Sequence, residues 1–67
     1  MIEVVVNGEA RQIPENLTIR ALLDFLGLPT DRVAVEHNLE IVSKPDWEKI
    51  VVQAADRLEI VHFVGGG

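Results

Sequence analysis

An α+β domain, with one helix laid across one face of a mixed β-sheet, is predicted by three features of these 67 residues. Asn7-Gly8 stands between two short alternating segments, the apolar residues of 19–26 have helical spacing, and a final alternating segment, Leu58-Glu59-Ile60-Val61-His62-Phe63-Val64, runs directly into Gly65-Gly66-Gly67. A helix with a single apolar stripe must bury it against another element, and the strands on either side of it supply that surface.

The first pair of strands follows from Asn7-Gly8, because a two-residue type I′ turn requires positive φ at both central positions and asparagine and glycine tolerate it best. That loop length pairs Ile2 with Ile13 and Val4 with Arg11, so Arg11 falls on the inward face; an edge position for the second strand would let its stem cover apolar surface while its head reaches water. Pro14 ends the strand. Thr18 can cap the helix that follows, in which Ile19, Leu22, Leu23 and Leu26 form one buried stripe. Gly27 suits the left-handed position after the helix, Leu28 can fold back on the last turn, and Pro29 blocks continuation. Val33-Ala34-Val35-Glu36-His37 reads as the third strand, Asn38-Leu39-Glu40 as a turn and Ile41-Val42 as a short fourth strand. Ser43 to Lys49 resembles one capped turn, with Pro45 early in it and Trp47 placed to plug one end of the core. Residues 50–53 read equally as strand or loop. Asp56 opens the last strand, Leu58 to Val64. The economical arrangement of hairpin, helix, two strands and final strand is a β-grasp, ββαββ, with the terminal strand central, beside and parallel to the first, as a right-handed crossover allows. A small β-barrel with a helical plug is the alternative.

One domain of this length buries only about 60% of the surface that its unfolded chain exposes, so its apolar residues must be used economically. They make up 48% of the chain, enough for one core and well above a disordered composition. With no cysteine there is no disulfide framework, thiol nucleophile or thiolate metal site, which fits a reducing compartment. The start, Met1-Ile2-Glu3-Val4-Val5-Val6, has no basic or signal-like segment and no run spans a bilayer, so a soluble, cytoplasmic protein is expected, with no membrane partner. Eleven acidic against six basic residues give a net charge of −5, which opposes nucleic acid as a partner. The same charge suits docking on a positive surface and also serves solubility.

The division expected is a β-grasp domain over 1–64 and a flexible glycine tail over 65–67. Three residues without Cβ can enter a channel too narrow for others and extend about 10 Å beyond the strand. The competing description is an ordinary frayed end or an engineering scar. Tail and strand adjoin without a linker, which favours a rigid body presenting a thin reactive thread.

Val6-Asn7-Gly8-Glu9, Leu22-Leu23-Asp24-Phe25-Leu26, Val33-Ala34-Val35-Glu36-His37-Asn38, Ile41-Val42, Trp47 and Glu59-Ile60-Val61-His62-Phe63-Val64-Gly65-Gly66-Gly67 together resemble the sulfur carrier proteins of thiamine biosynthesis, a ubiquitin-like family. The resemblance covers nearly the whole chain. It departs at Ala55-Asp56, where the family often has Gly-Asp, and at a third glycine where two suffice. It implies that the Gly67 carboxylate is adenylated by a partner enzyme of the ubiquitin-activating type, that a persulfide on another protein supplies sulfur to give a thiocarboxylate, and that thiazole synthase consumes it. Gly66 and Gly65 would give access. ATP and magnesium would belong to the adenylating enzyme; no cofactor is expected on this chain, which would be a protein cosubstrate and not an enzyme. The small subunit of molybdopterin synthase, a ubiquitin-like modifier joined to lysines, and a passive interaction module remain as alternatives.

Side-chain parity adds a docking surface. With Leu58 and Ile60 inward, Val61 and Phe63 project from the opposite sheet face together with Val5, and with Val64 they form a candidate partner-binding patch beside the tail. A covering loop or a homodimer contact would serve the same residues. His62 reads as a half-exposed strand residue and His37, in phase with Val33 and Val35, as a partly buried packing residue. Two histidines without a convergent carboxylate cluster make no metal site. Asp31, Glu36, Glu40 and Glu48 read as solvated surface, and there is no phosphate-binding glycine fingerprint.

Overall fold

The computed structural model describes residues 1–63. Strands β1 (Ile2–Val6) and β2 (Glu9–Ile13), helix α1 (Ile19–Phe25), strands β3 (Val33–His37) and β4 (Glu40–Val42), a short 3-10 turn at Lys44–Asp46 and strand β5 (Arg57–His62) follow in chain order. One five-stranded sheet has the order β2-β1-β5-β3-β4. Strand β5 is central, parallel to β1 and antiparallel to β3. This is the β-grasp arrangement expected from the sequence. The last strand runs Arg57–His62, one residue earlier at its start and ending before Phe63 rather than continuing to Val64 as expected; Val64 itself and the tail of Gly65, Gly66 and Gly67 lie outside the described residues.

The first hairpin closes as its residues demand. Asn7 and Gly8 have φ of 50° and 81°, the double positive φ of a type I′ turn, and the register pairs Ile2 with Ile13 and Val4 with Arg11. Arg11 therefore shares a face with fully buried Val4, and it is tolerated because β2 is an edge strand on which nearly half of the arginine side chain reaches solvent. The second hairpin is tighter than expected. Asn38 and Leu39 form a two-residue turn with φ of 50° and 74°, and Glu40 belongs to β4, paired with His37. A leucine at positive φ is strained, which hides this turn from residue preferences.

Helix α1 is short, and each end is closed by identifiable atoms. Thr18 Oγ1 accepts the Ala21 N–H at 3.1 Å, while the Ile19 and Arg20 N–H groups reach the carbonyls of Ile50 and Trp47. The N–H groups of Ile19, Arg20 and Ala21, three of the four that lack an intrahelical acceptor, are thereby satisfied. At the other end Leu28 N–H bonds to Leu23 O and Gly27 N–H to Asp24 O, with Gly27 at φ 71°, the double bond pattern of a Schellman motif.

Ile19, Leu22 and Leu23 of this helix pack with Val4, Val6, Ile13, Val35 and Leu58 of the sheet, and Trp47 and Val52 of the crossover complete the core. Trp47 satisfies its indole N–H by donating to Val42 O at 3.0 Å. Ser43 differs from a conventional cap: its hydroxyl donates to Asp46 Oδ2 at 3.1 Å rather than accepting a backbone N–H. Residues 50–53, readable as strand or loop, form a single antiparallel bridge between Thr18 and Val51 that brings Val52 into the core. No described helix is long and apolar enough to cross a membrane.

Candidate functional site

The described chain approaches its glycines along β5. Its inward residue Leu58 is buried and Ile60 packs on the core, which leaves Glu59 and Val61 on the sheet face away from α1. Val61 is 55% exposed and Phe63, just beyond the strand, 56% exposed. The Phe63 N–H donates to Arg32 O at 2.7 Å, so backbone anchoring on the β3 side continues to the last described residue.

Val61 lies opposite Ala34 of β3. Val5 is half-buried and sits beside Ala10 and Arg57, four residues before Val61 in the β5 register, a distance of about 13 Å along the strand. Val61 and Phe63 thus occupy the end of the outer face nearest the glycines, with Val5 toward its middle. Val64, the fourth expected docking residue, falls outside the described residues.

Sequence parity alone did not reveal what lies between these apolar positions. Glu36 and Glu59 are directly opposed across β3 and β5, one pair away from Ala34 and Val61 on the same face. Two like charges facing each other across a strand pair cost stability, so this part of the outer face carries a concentrated negative charge. The signal was present in the strand phases, but the register that opposes them is a tertiary fact.

A polar cluster at the opposite end of β5 was also missed. His37 Nε2 lies 2.7 Å from Asp56 Oδ2, Asn38 Nδ2 donates to Asp56 Oδ1 at 3.2 Å, and the Gln53 N–H donates to Asp56 Oδ2 at 2.8 Å. Asn38 Oδ1 in turn accepts the Arg57 N–H at 2.8 Å. Burial by itself pushes the Asp56 carboxyl up, but the Gln53 N–H, the His37 and Asn38 hydrogen bonds and the His37 charge outweigh it and hold the group below its ordinary 3.8. His37 is more than a packing residue: it ties the β3–β4 hairpin to the start of β5. This cluster fastens backbone and leaves no nucleophile free.

The turn leading into it keeps its shape without the expected glycine. Ala55 has φ 70°, its N–H donates to Glu3 O at 2.8 Å, and Asp56 N–H bonds to Gln53 O at 3.1 Å. A cleft of about 350 Å³ lies between β4 and the 3-10 turn, with His37, Glu40, Asp46 and Ile50 in its wall. The Nε2 atom of that histidine is already engaged by Asp56. Asp31, Glu40 and Glu48 are exposed and Glu36 half-buried, and among the described residues no group of three or more histidine and carboxylate side chains could hold a metal ion. Among the described residues, then, the exposed apolar positions Val61 and Phe63 and the hydrogen-bonded Asp56 cluster are the distinctive features of this surface.

Comparison with known proteins agrees with this geometry. Residues 4–67 match the ThiS family, a match that runs through the glycines. A thiazole synthase of Paramagnetospirillum magneticum is 47% identical over 66 residues, 98% of this chain and 20% of that protein. The sulfur carrier protein ThiS of Bacillus subtilis is 44% identical over 50 residues, 75% of this chain and 76% of that one. The crystal structure of the thiamine biosynthesis protein ThiS from Geobacter metallireducens superimposes with a TM-score of 0.85 at 29% identity, covering 98% of this chain and 100% of that one. The chain spans about a fifth of the length of the two thiazole synthases it matches, the second from Magnetococcus marinus. With its fold, its length of match and its glycine segment all in agreement, the chain belongs to the ThiS family.

Proposed function

We propose that this chain is a sulfur carrier for thiazole formation in thiamine biosynthesis, and that the acyl carbon of Gly67 carries the sulfur. The observation that carries the reading is the family match extending through Gly65, Gly66 and Gly67, on a sheet whose central strand leads to them. A carboxylate is a poor electrophile. An adenylating enzyme of the ubiquitin-activating type, holding ATP and magnesium, joins the Gly67 carboxylate to the α-phosphate and releases pyrophosphate. The terminal sulfur of a protein persulfide then attacks the acyl carbon and expels AMP, and a thiol cleaves the acyl disulfide to leave the thiocarboxylate. Thiazole synthase takes that sulfur, so the chain is a cosubstrate and not a catalyst.

Several features support this reading. Side chains at Gly66 or Gly67 would obstruct entry to a buried phosphate, and the absence of cysteine removes an internal thiolate that could attack the activated acyl group. Val61 and Phe63 offer apolar contact beside the glycines, and Glu36 with Glu59 offers a charge complement to a basic docking surface. The thiazole synthases that contain a segment like this chain place carrier-like and synthase sequence in one polypeptide, which supports a thiazole synthase as acceptor.

The test is intact mass after incubation with ATP, the adenylating enzyme of the same organism and a persulfide donor. A gain equal to one oxygen-to-sulfur exchange is expected. Stable adducts on lysines would instead make it a modifier, and an unchanged mass would make it an inert module. Gly66→Val should keep the fold and lower pyrophosphate release by about 100-fold or more, because it blocks the approach to the phosphate; equal release from mutant and parent would contradict the threading argument.

A further inference from the structure

We infer that Asn7 is a positioning residue for the acyl-bearing end of the chain, an inference that rests on the sulfur-carrier reading above. Strand β1 stops at Val6, and its last contact with β5 as backbone is the Asn7 N–H, which donates to Leu58 O at 2.9 Å. The chain then turns away through Asn7 and Gly8. Strand β5 continues to His62, so from Leu58 onward its edge toward β1 has no strand beside it.

The Asn7 side chain fills that place. Its Oδ1 accepts the Ile60 N–H at 2.7 Å and its Nδ2 donates to Ile60 O at 3.2 Å. A carboxamide carries the same donor and acceptor as a peptide group, so this reciprocal pair satisfies both main-chain groups of Ile60 on the edge that β1 has left, and it comes from a side chain 53 residues away in sequence. Because the donor is a backbone N–H and the acceptor a backbone carbonyl, the orientation of the amide is fixed. The opposite edge of β5 is held by β3 up to the pairing of Val33 with His62, and by Arg32 O at Phe63. With Asn7 in place β5 is gripped on both edges at Ile60, three residues before the described chain ends. The position of β5 up to Phe63 is thereby set by the body of the domain on both sides.

A residue needed only for the turn would be chosen for its positive φ. Glycine meets that need, and aspartate meets it while keeping the acceptor for the Ile60 N–H. The two substitutions therefore separate turn formation from the grip on Ile60. Amide exchange at Ile60 reports the grip, and steady-state adenylation kinetics, followed as pyrophosphate release at a temperature where each protein is folded, report its consequence. Asn7→Gly should speed Ile60 exchange and lower kcat about 10-fold with KM within about twofold, since alignment of the acyl group is lost while the docking face is intact. Asn7→Asp should recover to within about threefold of the parent. Parental kcat in Asn7→Gly, or equal losses in both variants that track only their melting temperatures, would overturn the assignment. A parent protein that releases no pyrophosphate would instead sink the sulfur-carrier reading on which it stands.

Discussion

At position 56 one carboxylate receives hydrogen bonds from a backbone N–H, a histidine and an asparagine, and so joins the crossover, the β3–β4 hairpin and the start of β5. Only 13% of its side chain is exposed, and loss of such charge-assisted bonds costs about 2 kcal/mol. Its folded pKa is lowered, so the stabilisation is present above the ordinary value of 3.8 and drains away as pH falls through the still lower folded value. Asp56→Ala should therefore lower the urea midpoint at pH 7, and the gap between the two proteins should narrow toward pH 3. Parallel pH profiles would assign the acid limb to other carboxylates. The neighbouring Ala55 carries a different strain. At φ 70° an alanine pays about 1 kcal/mol or more, and replacing it with glycine restores ease of turning while adding unfolded-state freedom worth roughly 0.4–1 kcal/mol. Ala55→Gly should raise stability by a few tenths to about 1 kcal/mol in a chemical melt, and a loss would show that the turn is unstrained. The resemblance to a family with glycine at this place made the position visible in the sequence; the Asp56 network was not visible, because two of its members, His37 and Asn38, are 19 and 18 residues away in sequence and meet Asp56 only across the sheet.

Helix α1 shows how much an element can owe to its surroundings. Seven residues are too few for an isolated helix in water, so its stability comes from the buried stripe and from its ends. Stripe, threonine cap and glycine stop are all local patterns, which is why the helix was legible to within about a residue at either end. The carbonyls of Ile50 and Trp47 that take its first two N–H groups were not legible, since nothing in residues 47–52 marks them as a cap for a segment some thirty residues earlier. Leu22 is fully buried under this helix, and a domain of this size has roughly 3–10 kcal/mol of total stability. Leu22→Asp would bury a charge among apolar neighbours and lose packing of at least about 3 kcal/mol, so circular dichroism should show an unfolded chain at 25 °C. A cooperative melt in that variant would show that the helix is not the lid of the core.

On the scale of the whole molecule, the central position of β5 determines what the domain presents. Held between β1 and β3, it leads toward the glycines from the middle of the sheet, with Val61 and Phe63 exposed along the way. If the proposed docking face is used, Phe63→Glu should leave the melting temperature within a few degrees and weaken association with the proposed adenylating partner about 10-fold or more, as calorimetry would measure, because it puts a charge into the apolar patch. Unchanged affinity would remove Phe63 from the interface. Val5 is the less telling position, since it is half-buried beside Ala10 and Arg57 and some 13 Å from Val61 along the strand.

The sequence by itself determined the order of the elements, the first hairpin and its register, and the helix with both its stops, because each of these is written in neighbouring residues whose backbone preferences and periodicity act locally. Only the tertiary structure decided the tight turn at Asn38-Leu39, the opposition of Glu36 to Glu59, the Asp56 network and the grip of Asn7 on Ile60. All of these depend on how distant strands are brought into register, and that register is chosen by burial of the core as a whole and by no single stretch of the chain.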